Sequence, residues 1–134
     1  MTASNLLLDF VTYSIAQGWA TVGGTNVFAD NMPDSPDNCI AFIEYPGQSS
    51  FIANADLRSI QVRVRNSDYE TGRQLIWDIY NTLYKPESDT RFIDLTVNRW
   101  VLIKARHTPY LLNRDETKRC IFILNMGVTT SRDE

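Results

Sequence analysis

SIQVRVRNSDYETGRQLIWDIYNTLY, from Ser59 to Tyr84, is the stretch whose reading decides the fold. Ile60, Val62 and Val64 alternate with Gln61, Arg63 and Arg65, the period of a strand with one face buried and one face wet. At Asn66 the alternation stops. Ser67-Asp68-Tyr69-Glu70 reads as a capping box: Ser67 accepts from the N–H three residues on, and Glu70 reaches back to the serine. Asp68 and Glu70 also put negative charge at the positive end of the helix dipole. Tyr69, Gly72, Ile76, Ile79, Tyr80 and Leu83 then fall on one helical stripe. Pro86 ends the helix, with Lys85 at its negative end. A strand that feeds directly into a helix able to fold back over it is the seed of a two-layer α+β domain.

Upstream, Asn5 to Gln17 is expected to be helical. Ser4 or Asn5 caps it, Leu7, Phe10, Val11 and Ile15 make its stripe, and Gly18 suits the left-handed position past its end. Leu6 and Leu8 widen the stripe, which fits a partner subunit or deep packing within a monomer. Trp19 to Asn38 is irregular, rich in turn residues, with room for a short strand from Asn26 to Ala29. Cys39 to Tyr45 reads as a strand apolar on both faces, hence central. Pro46-Gly47 is expected to turn sharply. Gln48 to Leu57 reads as an exposed loop carrying Phe51 and Ile52, which either fold back on their own sheet or sit in a neighbour's groove.

Downstream, Pro86 to Arg91 is a loop. Phe92 to Val97 and Trp100 to Arg106 form a hairpin turning at Asn98-Arg99. Thr108-Pro109 breaks the pairing, and Leu111 and Leu112 precede a charged turn. Lys118 to Met126 is the last strand, Gly127 ends it, and Val128 to Glu134 is a polar, frayed tail. The expectation is one α+β domain over residues 1–134. Its sheet is mostly antiparallel, of about five strands, with two helices packed on one face, in the order α-β-β-α-β-β-β.

Composition narrows the function classes. The chain has 134 residues, 43% apolar and 22% charged, with a net charge of −3. A chain of this length buries roughly two thirds of its unfolded surface, enough for a core without staples. The acidic balance argues against a general nucleic-acid or acidic-membrane binder. No apolar run approaches the roughly 20 residues that span a bilayer, and the first residues lack a basic leader. Cys39 and Cys120 lie in apolar runs and read as core hydrophobes in a reducing, intracellular setting.

Reactive chemistry is thin. His107 stands at a strand end without the partners of a triad or metal site. Ser49 and Ser50 lack the surroundings of a nucleophile elbow. Asp30, Asp34 and Asp37 have the wrong spacing for a calcium loop and read as a solvated acidic loop. Arg63 and Arg65 share one strand face, and Lys104 and Arg106 share another. In register, these four cations would line one surface, suited to phosphate contacts, to salt bridges with a neighbouring subunit, or to solubility alone. No catalytic residue, metal site or cofactor is expected.

The pattern of the whole chain resembles the tail terminator proteins of long-tailed bacteriophages. The likeness is carried by the Leu-rich first helix, the Pro/Asp-rich loop and the strand ending in Glu44-Tyr45-Pro46-Gly47. It continues through Ile60-Gln61-Val62-Arg63-Val64-Arg65-Asn66, followed by Asp68-Tyr69-Glu70-Thr71-Gly72. The resemblance implies a non-enzymatic structural subunit that forms a ring, usually a hexamer, in the tail or neck of the virion, assembled in the host cytoplasm. Such a ring stops polymerisation of the tail-tube protein, offers a face to head-completion proteins, and lets double-stranded DNA pass without specific contacts; no membrane is involved. Rings close through heterologous contacts. Phe51 and Ile52, Asn98 and Arg99 are the candidate subunit contacts, and Arg63, Arg65, Lys104 and Arg106 the candidate basic face, lining the lumen or bridging subunits. A head-closure or head–tail joining protein is the first alternative; a small-molecule-binding or enzymatic α+β domain around His107 and Trp100 is the second.

Overall fold

A computed structural model describes residues 5–20, 23, 26–48, 55–84, 91–96 and 99–131. The chain runs α1 (Leu6–Gln17), β1 (Val27–Ala29), β2 (Cys39–Gln48), β3 (Ala55–Asn66), α2 (Tyr69–Leu83), β4 (Arg91–Thr96), β5 (Arg99–Ala105), β6 (Tyr110–Arg114) and β7 (Cys120–Ser131). The sheet order is β1-β2-β3-β7-β5-β4, with β6 also on β7. Every pairing is antiparallel except β1 with β2. The expected α+β class holds, with both helices on one face.

The strand inventory is larger than the sequence pattern suggests. β1, Val27–Ala29, falls in the Asn26 to Ala29 stretch that left room for a short strand, though the expected element order did not count it; three residues are too few for alternation to show. β6 is mostly exposed even at Tyr110 and Leu112, so no buried–exposed alternation marks it, and its identity comes from pairing with β7. The 55–57 portion of the expected loop belongs to β3, paired with 129–131 of β7. Those residues of β7 read as a frayed tail in the sequence, yet Gly127 sits opposite Ser59 and the ladder continues past it. Pro46-Gly47 lies within β2, where the register slips between Tyr45 and Gln48. A proline is tolerated in a strand at such an irregularity because no ladder donor is needed there.

The helix caps are local chemistry. Asn5 accepts from the N–H groups of Leu7 and Leu8, and Gly18 takes the left-handed conformation (φ 81°) past the end of α1. For α2 the cap is Asp68, not Ser67: its carboxylate accepts from the Thr71 N–H at 2.9 Å and from the Thr71 hydroxyl at 2.5 Å. The Thr71 hydroxyl and then its N–H hold the Asp68 carboxyl below its ordinary pKa. Ser67 instead donates to Asn38 across the loop.

The core lies between the helices and one sheet face. Ile40 and Phe42 on β2, Ile60, Val62 and Val64 on β3, and Phe122, Leu124, Met126 and Val128 on β7 face inward in register. Phe10 of α1 stacks on Phe42 with ring centroids 5.2 Å apart. Ile76, Ile79, Tyr80 and Leu83 of α2 are buried as the stripe predicts, whereas Tyr69 stays 38% exposed. Gly72 is the contact point between α2 and the sheet. A Cβ there would stand 2.7 Å from Phe122 Cε2 and 2.9 Å from Asn66 Cβ. On α1, Ile15 and Leu8 are exposed, and Ser14 takes the inward place, its hydroxyl donating to the Phe10 carbonyl at 2.9 Å.

Candidate functional site

Alternation along β3 and β7 gives the sheet a second face that carries no helix. Ser59, Gln61, Arg63 and Arg65 of β3 lie opposite Gly127, Asn125, Ile123 and Ile121 of β7, and β5 adds Leu102 and Lys104. The side chains on this face are knitted together. Arg63 donates twice to Gln61 Oε1, at 2.7 and 3.1 Å. Gln61 Nε2 donates to Asn125 Oδ1 at 3.0 Å. The Asn125 backbone N–H donates to His107 Nε2 at 3.2 Å.

His107 therefore has a structural assignment. β5 leaves β7 after Ala105, opposite Met126, and β6 joins at Tyr110, opposite Ile123. Asn125 falls in the gap. Arg106 N–H donates to the Asn125 carbonyl at 3.0 Å, and the His107 ring accepts the Asn125 N–H. With Nε2 accepting, Nδ1 carries the proton and donates to the Thr108 carbonyl at 2.7 Å. The imidazole replaces a ladder partner that neither strand supplies.

Beside this ladder runs an open groove of about 590 Å3. Ser59 and Gly127 lie at its floor; Leu57, Leu102 and Pro46 give it apolar walls; Lys104 and Arg106 give it positive charge. Arg106 donates to Ser59 Oγ at 2.9 Å and to the Tyr45 hydroxyl at 3.1 Å, with its guanidinium 5.8 Å from the Tyr45 ring centre. Leu57 is 36% exposed in this groove.

The four expected cations divide into two groups. Arg63, Lys104 and Arg106 share the open face. Arg65 points the same way but is only 4% exposed. Its guanidinium donates to the carbonyls of Pro33, Pro36 and Asp37, at 2.6, 2.7 and 3.2 Å, and ties the Pro/Asp-rich loop to the sheet. Arg99, expected in the hairpin turn, is the first residue of β5 and is 2% exposed. It bonds Asp9 Oδ2 at 2.6 Å and Thr130 Oγ1 at 3.1 Å, joining α1 to the sheet inside the subunit. Phe51, Ile52 and Asn98 lie outside the described residues.

Arg119 is not singled out by its sequence position, where Lys118 and Arg119 together read as the charged lead-in to an apolar strand. It reaches Asp34 at 3.0 Å, Asp37 at 3.2 Å and Asp115 at 2.8 Å. Burial pushes the Asp115 carboxyl up, but the Arg119 N–H, the Thr117 hydroxyl and the Arg119 guanidinium outweigh it and hold it below the usual range. The acidic loop is thus a latch for arginines. Among the described residues, no three His, Cys, Asp or Glu side chains gather as a metal site. Cys39 and Cys120 are both buried and free, and burial raises the Cys39 thiol against the opposing pull of Arg65 and Arg119. A thiol so placed is a poor nucleophile. No helix among the described residues is long and apolar enough to cross a membrane.

The geometry defines a packed structural brick: one face sealed by helices, the other a polar lattice beside a charged groove. The family model for bacteriophage tail terminator proteins matches residues 11–132, and the chain belongs to that family, a structural one. No curated protein matches the chain.

Proposed function

We propose that this protein forms a ring, of hexamer size, at the head-proximal end of the phage tail, where it stops growth of the tail tube and joins the tail to head-completion proteins in the virion. The observation that carries this reading is the family match across nearly the whole described chain. The rigidity of the subunit supports it. α1 is tied to β5 and β7 through Arg99, and the long loop before β2 is tied to β3 and β7 through Arg65 and Arg119. A subunit that must repeat around a ring benefits from having one shape.

The open sheet face, with Arg63, Lys104 and Arg106, is the surface offered to neighbouring subunits in this reading, together with Phe51 and Ile52. Double-stranded DNA passes the ring without specific contacts, in keeping with a net acidic subunit. Light scattering and negative-stain microscopy of the purified protein, alone and with polymerising tail-tube protein, test the proposal. The expected result is a closed ring and tubes of limited length. A protein that neither oligomerises nor changes tube length contradicts it.

A further inference from the structure

We propose that the acidic outer stripe of α2 docks into the cationic groove on the open sheet face of a second copy of this chain, head to tail. The inference rests on the ring reading above and names the two surfaces that meet.

Glu70, Gln74 and Asp78 are spaced four residues apart, so they stand on one side of α2. With Thr71 and Leu75 they border an open hollow of about 510 Å3. Gln74 Nε2 donates to Asp78 Oδ1 at 2.9 Å, which orders the stripe. Of the cations nearby, Arg73 leans over the Trp77 ring, 5.5 Å from its centre, and Arg114 over the Tyr69 ring, 6.0 Å from its centre. The stripe is therefore net acidic, with half-buried Leu75 beside it. The groove is its complement: Lys104 and Arg106 supply positive charge, and Leu57 and Leu102 supply apolar surface. Complementary charge of this kind fixes register and steers association.

Position makes the contact intermolecular. α2 packs through Gly72 and Phe122 on the helix-bearing side of the sheet, while Lys104 projects from the other side. The two patches cannot meet within one copy. A two-fold dimer needs both halves of its contact on one contiguous surface, which patches on opposite sides of a sheet do not provide. A heterologous contact repeated from copy to copy does, and it closes when the rotation divides a full turn.

Charge reversal tests this. The chains compared are the wild type, E70K/D78K, K104E/R106E and the variant carrying all four changes. Size-exclusion with light scattering is read across a protein concentration series, with a thermal melt on each chain. Each reversed patch alone is expected to raise the concentration needed for assembly at least tenfold, and the combined variant to recover to within about threefold of wild type. Because Arg106 also holds Tyr45 and Ser59, the milder pair K104E and D78K, singly and together, repeats the test without touching those bonds. Reversed chains that assemble at the wild-type concentration, or folded single-patch variants whose combination shows no recovery, overturn the docking while leaving a ring intact. A wild type that stays monomeric at every concentration overturns the ring reading and the docking with it.

Discussion

The two faces of the sheet are cut from the same strands and do different work. On β3, Ile60, Val62 and Val64 are fully buried under the helices, while their neighbours Gln61 and Arg63 sit half-buried on the open side. On β7, Leu124 and Met126 are buried while Asn125 between them holds Gln61 and His107. A shift of one residue in register would exchange the two faces completely. The helix-bearing face holds its shape by volume and exclusion of water; around Gln61 and Arg63, the open face holds its shape by hydrogen bonds that water can replace, while Arg65 on the same face is buried under the loop it binds. The same kind of substitution should therefore be severe on one side and mild on the other.

The largest break comes from Ile76→Asp on α2. Ile76 is fully buried, and a buried unpaired carboxylate costs several kcal/mol. That is a large part of a typical domain's stability of about 5–15 kcal/mol. The variant is expected to lose its cooperative thermal transition in circular dichroism; a folded protein with wild-type melting would show that the stripe of α2 is not the core contact.

Asp9→Ala should come next, at about 3 kcal/mol, because it strips a carboxylate from an arginine that the core has desolvated. Thr130 keeps one hydrogen bond to Arg99, which limits the loss. Urea unfolding measures it, and a change under 1 kcal/mol would mean that α1 is held by apolar contacts alone.

Gly72→Ala pits two effects against each other. Alanine favours the helix by about 1 kcal/mol. The new methyl would stand 2.7 Å from the Phe122 ring and 2.9 Å from a backbone-fixed Cβ at Asn66. Overpacking of this kind costs roughly 1–3 kcal/mol. The expected outcome is a net loss of about 1 kcal/mol, seen as a melting point lower by a few degrees; a gain in stability would mean that α2 can lift from the sheet at no cost.

Arg63→Ala on the open face should change stability by no more than about 0.5 kcal/mol. Its partner is the Gln61 side-chain amide oxygen, Oε1, and water can take the arginine's place. The same urea experiment checks it, and a loss near that of Asp9→Ala would erase the distinction between the faces.

Much of this was legible in the residues. The alternation from Ile60 to Arg65 and the stripe from Gly72 to Leu83 specified a strand running into a helix, because both patterns are periodic and each period belongs to one backbone geometry. The resemblance carried by the same stretch agrees with the family that the chain matches. Where signals were weak, boundaries moved. Asp68 rather than Ser67 caps α2, since either side chain has the needed oxygen and only the path of the loop, with Ser67 bonded to Asn38, selects between them. The polar residues after Gly127 gave no sign of a strand; β3 on one side and β5 on the other make them one.

The candidate site was legible only in part. Arg63, Arg65, Lys104 and Arg106 do project from one face, as alternation predicts. The sequence could not say that Arg65 would spend its donors on the Pro33, Pro36 and Asp37 carbonyls, or that Arg99 would be drawn inward to Asp9. Nor could it place Arg119 against three carboxylates or His107 in the gap between β5 and β6. Period and capping are set by neighbours along the chain, so they can be read from order alone. The partners of Arg65 and Arg99 lie tens of residues away, and only the closing of the sheet brings them within reach.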